Sequence, residues 1–156
     1  MAKVVVIGSF NVDLVTYVEN LPRAGETIAG HDFTTGPGGK GSNQAVAAAQ
    51  LNADVPFIGR VGVDQFADMG FRIWNKVGIN SDYVIRDPET PTGTATIFVE
   101  QSGENVIVIA GGANLALSKE DIDAAETAIA EADVLLTQFE IELDVARYAL
   151  SLAHKH

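Results

Sequence analysis

Lys40 and Asn43 stand three positions apart where the glycine-rich segment Gly36-Pro37-Gly38-Gly39-Lys40-Gly41 runs into the alanine-rich stretch Ser42 to Gln50. At a helix start that spacing puts both side chains on one face. Asn11 and Asp13, two apart in extended chain, also share a face. Glu140 follows the apolar run Val134-Leu135-Leu136, just past a strand's carboxyl end, which is the ligand side of an open α/β sheet. Amide, carboxylate and ammonium groups without metal-ligand or nucleophile spacing suit a neutral, hydroxyl-rich ligand. Carboxylates accept from hydroxyls, while amides and the ammonium donate. A plainer account fits the same residues: Asn11 and Asp13 as turn and surface positions, Lys40 as solvated, Glu140 as the cap of the last helix.

The glycines invite a phosphate reading, because a glycine turn opening a helix often cradles phosphate. Walker A fails on two letters: Gly41 follows Gly39-Lys40 where Ser or Thr is required, and Thr34 stands where the leading glycine should be. The dinucleotide pattern G-x-G-x-x-G is met by Gly36, Gly38 and Gly41, a weak match in so glycine-rich a loop. It should follow the first buried strand, where Gly8-Ser9-Phe10-Asn11 stand instead. A dinucleotide-binding domain is therefore a remote alternative. The glycines are expected to give a ligand room to approach the backbone.

The 156 residues suffice for one compact domain. Lys and Arg number 10 against 21 Asp and Glu, a net charge of −11, with no basic cluster. Nucleic acid is not an expected partner, since phosphate neutralisation carries most of such binding. The absence of cysteine removes disulfides and thiolate chemistry. The N-terminus turns polar too soon for a signal peptide or membrane span, so a cytoplasmic protein is expected. His31, His154 and His156 show no metal-ligand pattern, and Trp74 is expected in the core.

The elements that must position these groups alternate. "KVVVIG", "DVPFIGRVG" and "DVLLTQFE" are apolar enough to be buried strands of a parallel sheet. Helices are expected over "SNQAVAAAQLN", over "DQFADMGFRIWNKVG" to Gly78, and from the capping box Ser118-Lys119-Glu120-Asp121 through "IDAAETAIAEA". A last helix would bury Leu143, Ala146, Leu150 and Ala153. "NVDLVTYVEN" with a return strand in "ETIAGHDFTTG", and a hairpin in "TATIFVEQSGENVIVIAGGAN", break the alternation. Segments of about 12–35 and 94–110 are expected to form a small second sheet. The strand at 133–137 would leave an apolar edge, so the main sheet is expected to be incomplete in this chain.

The order "GSFNVDLV", "LPRAGET", "GPGGKGSNQAVAAAQLNADVPFIGRVGVD", "PTGTATIFVEQSGENVIVIAGGAN" and "VLLTQFE" resembles the ribokinase-like (PfkB) carbohydrate kinase family over essentially all of residues 1–156. Lys40 with Gln44 leans to its ribose-phosphorylating branch. The resemblance implies a Rossmann-like parallel sheet flanked by helices, with a small β-sheet lid and a homodimer formed through that lid. It implies ATP-dependent phosphorylation of the ribose 5-hydroxyl, with Mg2+ and a monovalent cation. Asn11, Asp13, Lys40, Asn43 and Glu140 would bind sugar hydroxyls and Gly39 would contribute backbone. Ala95, Ile97 and Ile109 would form the lid's apolar cover.

The family's Gly-Ala-Gly-Asp helix start, which carries the general base and the anion hole, does not occur in these residues. Ala67 stands where many relatives carry glycine. The chain is therefore expected to be the N-terminal part of such a kinase, to bind no ATP fully, and to bind sugar without phosphorylating it efficiently. A non-catalytic ribose-binding or regulatory module is the alternative.

Overall fold

The computed structural model describes residues 1–156. The chain begins with β1 (Val4–Ile7), β2 (Asn11–Val18), β3 (Asp32–Gly38), α1 (Lys40–Gln50), β4 (Phe57–Gly62) and α2 (Gln65–Val77). It continues with β5 (Val84–Asp87), β6 (Gly93–Glu100), β7 (Asn105–Ala110), a 3-10 turn (Gly112–Ala116), α3 (Lys119–Ala124), α4 (Glu126–Ala130), β8 (Val134–Thr137) and α5 (Leu143–Ala153).

The main sheet has four strands in the order β5-β4-β1-β8, all parallel. Because successive side chains alternate across a strand, β1 feeds two cores. Val5 and Ile7 pack with Ile122, Ile129, Ala149 and Leu152 beneath α3, α4 and α5. Val6 packs on the other face with Phe57, Val61, Ala67 and Trp74 beneath α1 and α2. Each such fully buried Val or Ile stabilises the fold by about 1.5–3 kcal/mol. The result is a three-layer α/β/α sandwich.

Trp74 is central to the second core. Its ring lies 5.1 Å from Phe10, 5.0 Å from Phe57 and 5.1 Å from Phe71, and its indole N–H donates to Ser42 Oγ at 2.9 Å. A small residue fits opposite it: a Cβ on Gly70 would meet the Trp74 ring at 2.8 Å. The left-handed Gly78 (φ 78°) ends α2.

The second sheet is mixed, in the order β3-β2-β6-β7, with β2 and β6 parallel and both outer pairs antiparallel. Its register sets Gly38, Asn11 and Gly93 in one row and Gly36, Asp13, Ala95 and Ile109 in another. Residues directly opposite in a ladder share a face. The row beyond holds Thr34, Val15, Ile97 and Ile107 on that same face.

Several sequence expectations need correction. The return strand starts only at Asp32; ahead of it, Glu26 folds back on the Arg23 amide at 2.9 Å beside the left-handed Gly25. Helix α1 begins at Lys40, two residues before the expected start, and ends at Gln50. The helix after Ser118 breaks into α3 and α4, because the Ala125 amide bonds back three residues to Ile122 instead of four. Ile122 and Ile129, seven positions apart, both pack into the core. Strand β8 is the sheet's edge, as expected for 133–137, but for that reason it is not fully buried, and Val134 is 47% exposed.

Helix α5 buries Val145, Ala146, Ala149 and Leu152, while Leu143 and Leu150 stay about half exposed at 51% and 49%. Both stripes obey the helical period, so periodicity alone could not choose between them. The small Ala146 and Ala149 let the helix approach the sheet closely.

Candidate functional site

The site is organised by the first turn of α1. A helix start carries amide N–H groups with no partner inside the helix. Here the Lys40 amide donates to Glu140 Oε2 at 2.9 Å, the Gly41 amide to Ser9 Oγ at 3.3 Å, and the Ser42 amide to the Ser9 carbonyl at 2.9 Å. The chain's own carboxylate, hydroxyl and carbonyl thus occupy the positions a phosphate would take. This is the physical reason the glycine loop is no phosphate cradle.

The glycines serve that junction. Gly39 has φ 88°, and a Cβ on it would stand 2.8 Å from the Asn11 amide nitrogen and from Phe10 Cα. A Cβ on Gly41 would stand 2.5 Å from the Ser9 nitrogen. The space expected for a ligand at these two positions is taken by the backbone that follows β1. Of the glycines in this loop, only Gly36 has nothing within 4 Å.

Glu140 is held at the C-terminal side of β8 by the Lys40 ammonium, the Lys40 amide and the Ser9 hydroxyl, the last at 2.6 Å. It caps α1, not the last helix. Burial pushes its carboxyl up, but these donors outweigh burial and hold it below the ordinary glutamate value. Asp13 lies in the opposite condition. Burial and then the nearby Glu140 charge raise its carboxyl above the ordinary aspartate value, and no hydrogen bond offsets them. Gly38 makes room for it, since a Cβ there would lie 2.5 Å from the Asp13 oxygens.

Asn11 is 3% exposed. Its Oδ1 accepts from Asn114 Nδ2 at 2.8 Å, and a Cβ on Gly93 would collide with both atoms. Asn11, Asn114, Glu140, Ile109, Gly111, Leu115 and Phe139 line one cavity of about 270 Å³. Across the second sheet Ala95 is buried in the Asp13 row, with Ile97 half-buried and Ile109 51% exposed on the same face. Asn43 lies exposed on α1, and its side chain makes no hydrogen bond within the chain. Gln44 Oε1 accepts from Gln138 Nε2 at 2.7 Å, tying α1 to the end of β8.

The structure therefore brings Asn11, Asp13, Gly39, Lys40 and Glu140 to one place between the two sheets. Sequence reasoning missed Ser9 and Asn114. The run Gly111-Gly112-Ala113-Asn114, an asparagine just after a glycine pair that ends the hairpin, was the one signal for Asn114; nothing in the letters marked Ser9 as a helix cap.

The chain matches the family model described as pfkB family carbohydrate kinase over residues 1–155. It is 44% identical over 153 residues to a deoxyribokinase of Salmonella typhi, covering 98% of this chain and 50% of that protein. It is 41% identical over 154 residues to a ribokinase of Mus musculus, covering 99% of this chain and 48% of the relative. The structure of Arabidopsis thaliana ribokinase complexed with ribose and ATP superimposes with a TM-score of 0.85 at 33% identity, over 99% of this chain and 51% of that one. The chain spans about half the length of the curated relatives it matches.

Proposed function

Because the chain belongs to the pfkB family of carbohydrate kinases, we propose that it supplies the sugar-recognising part of an ATP-dependent ribokinase, which converts D-ribose and ATP to ribose 5-phosphate and ADP. The observation that carries this reading is the Asp13 carboxylate, half-buried, raised by burial and Glu140, and without a hydrogen-bond donor in the chain. A sugar hydroxyl supplies that donor. Asn11, the Lys40 ammonium, Asn43 and Glu140 complete a polar rim for neighbouring hydroxyls, with the Gly39 backbone beside them. Ala95, Ile97 and Ile109 share the Asp13 face of the second sheet and would supply an apolar cover that excludes water.

These residues bind and orient; they do not transfer. The glycine-rich start of α1 is filled by Glu140 and Ser9. On this reading ATP, Mg2+ and a monovalent cation belong to the full-length family and are not fully held by these residues, so the chain by itself would bind ribose without turning it over efficiently. The second sheet acts as the lid, and its free edge β7 joins a second copy. Val106, Ile107, Val108 and Ile109 are 43%, 51%, 61% and 51% exposed along that edge strand.

Calorimetric titration of residues 1–156 with D-ribose tests the reading. Saturable heat that disappears in Asp13→Ala supports it. A folded chain giving no heat at millimolar ribose overturns it, and sizing in solution decides the dimer.

A further inference from the structure

Asn114 is 1% exposed and lies in the 3-10 turn immediately after β7, while Asn11 opens β2. Asn114 grips the backbone of Phe10 with both ends of its carboxamide. Its Oδ1 accepts from the Phe10 amide at 2.9 Å, and its Nδ2 donates to the Phe10 carbonyl at 3.0 Å. A peptide N–H only donates and a carbonyl only accepts, so these bonds leave the Asn114 carboxamide one orientation. Its second N–H proton then points at Asn11, 2.8 Å away, and requires an acceptor there. Asn11 must meet it with Oδ1. The polarity of the Phe10 backbone groups is thereby relayed through two side chains.

The remaining end of Asn11, its NH2 group, makes no hydrogen bond within the chain and borders the cavity shared with Glu140 and Phe139. We propose that Asn114 is a positioning residue that locks the Asn11 carboxamide with its oxygen inward and its NH2 toward the cavity, so that the site offers a donor, not an acceptor, at that point. Next to it stand two carboxylates, Asp13 and Glu140, which only accept. A sugar hydroxyl held between Asn11 and a carboxylate therefore accepts from one and donates to the other, and a ligand lacking a hydroxyl oxygen there leaves the Asn11 NH2 unpaired. Gly93 is part of the device, since any Cβ there would fall 2.3 Å from Asn11 Oδ1 and 2.4 Å from Asn114 Nδ2. Because Phe10 and Asn11 lead into the second sheet and Asn114 follows its last strand, the same contact ties the sheet's entry to its exit.

The inference rests on the sugar-binding reading, and two measurements separate them. The first is hydrogen exchange of the side-chain amides in the wild-type chain, assigned with Asn11→Ala. The Asn114 NH2 should be protected from exchange, and the Asn11 NH2 should exchange with water and shift when ribose is added. A protected Asn11 NH2 beside an exchanging Asn114 NH2 overturns the proposal without reference to any sugar. Correct exchange with no ribose response overturns the sugar reading and leaves the orientation standing.

The second is a double-mutant cycle on ribose affinity. Asn114→Asp keeps the acceptor for the Phe10 amide but removes the donor to Asn11, and should weaken ribose roughly tenfold. In an Asn11→Ala background the same change should cost under about twofold, because the group it positions is gone. An equal loss in both backgrounds marks a merely structural role and overturns the proposal. Asn11→Asp, which still accepts from Asn114 but has no NH2 to offer, should reproduce the roughly tenfold loss with the fold retained.

Discussion

The Lys40 ammonium pairs with the Glu140 carboxylate across 100 positions of sequence, and the same carboxylate takes the Lys40 amide. One half-buried carboxylate thus caps helix α1 and fixes the cation that borders the proposed sugar site. The pair joins the first half of the parallel sheet to its edge strand.

Lys40→Ala should weaken ribose about tenfold or more, as expected for loss of a charged hydrogen-bond donor. Its effect on stability should stay within about 1 kcal/mol, because the Lys40 side chain is 65% exposed. Calorimetry and thermal unfolding of the same sample separate the two quantities.

Asp13→Asn should abolish measurable ribose binding yet make the chain more stable at neutral pH, by roughly 1 kcal/mol. The folded-state value of Asp13 is raised, so ionising it opposes folding. That cost is present above its folded value and disappears as pH falls toward the ordinary range. The stabilisation should accordingly shrink in acid, which urea unfolding at several pH values reads directly.

Asp64 carries the opposite sign. Burial pushes its carboxyl up, but the Thr92 amide at 2.8 Å, the Ala67 amide at 2.9 Å and the Thr92 hydroxyl hold it below its ordinary value of 3.8. Its contribution is complete above that value and is lost as pH falls through the lower folded one. Asp64→Ala should cost about 2 kcal/mol at pH 7, from a lost cap and an unpaired Thr92, and should show a flatter acid limb than the wild type.

Gly41→Ala should prevent normal folding or cost more than about 3 kcal/mol, because the new Cβ meets backbone that has nowhere to move. Gly36→Ala, with nothing within 4 Å, should stay within about 1 kcal/mol. Comparable losses in the two variants, measured by chemical unfolding, would contradict the packing role assigned to the loop.

Trp74→Phe should cost about 2–4 kcal/mol by opening space among Phe10, Phe57 and Phe71 and leaving the Ser42 hydroxyl without its donor. Fluorescence is lost with the only tryptophan, so circular dichroism is the measurement.

Much of this architecture is legible in the letters. Alternation of β-branched runs with helical periods announces the α/β sheet, Gly78 marks the end of α2, and Ser118 with Asp121 announces a capping box that the structure contains. These features depend on residues within one turn or strand of each other, and local sequence carries local physics. The side of α5 that faces inward was not legible, because two stripes satisfy the same period and only the neighbouring sheet decides between them.

The sequence by itself determined the inventory: which amides, carboxylates and cations exist, on which kind of element, and that no thiol or basic cluster competes with them. Only the tertiary structure decided what each group is doing. Glycines that suggested space for a ligand are consumed by the close approach of α1 to the backbone after β1. Glu140 is a helix cap and an ion-pair partner, Asp13 is left unpaired beside it, and Asn114 dictates which end of Asn11 faces the cavity. Hydrogen-bond polarity is a property of pairs, and these pairs are made between positions a hundred residues apart, where no local pattern reaches.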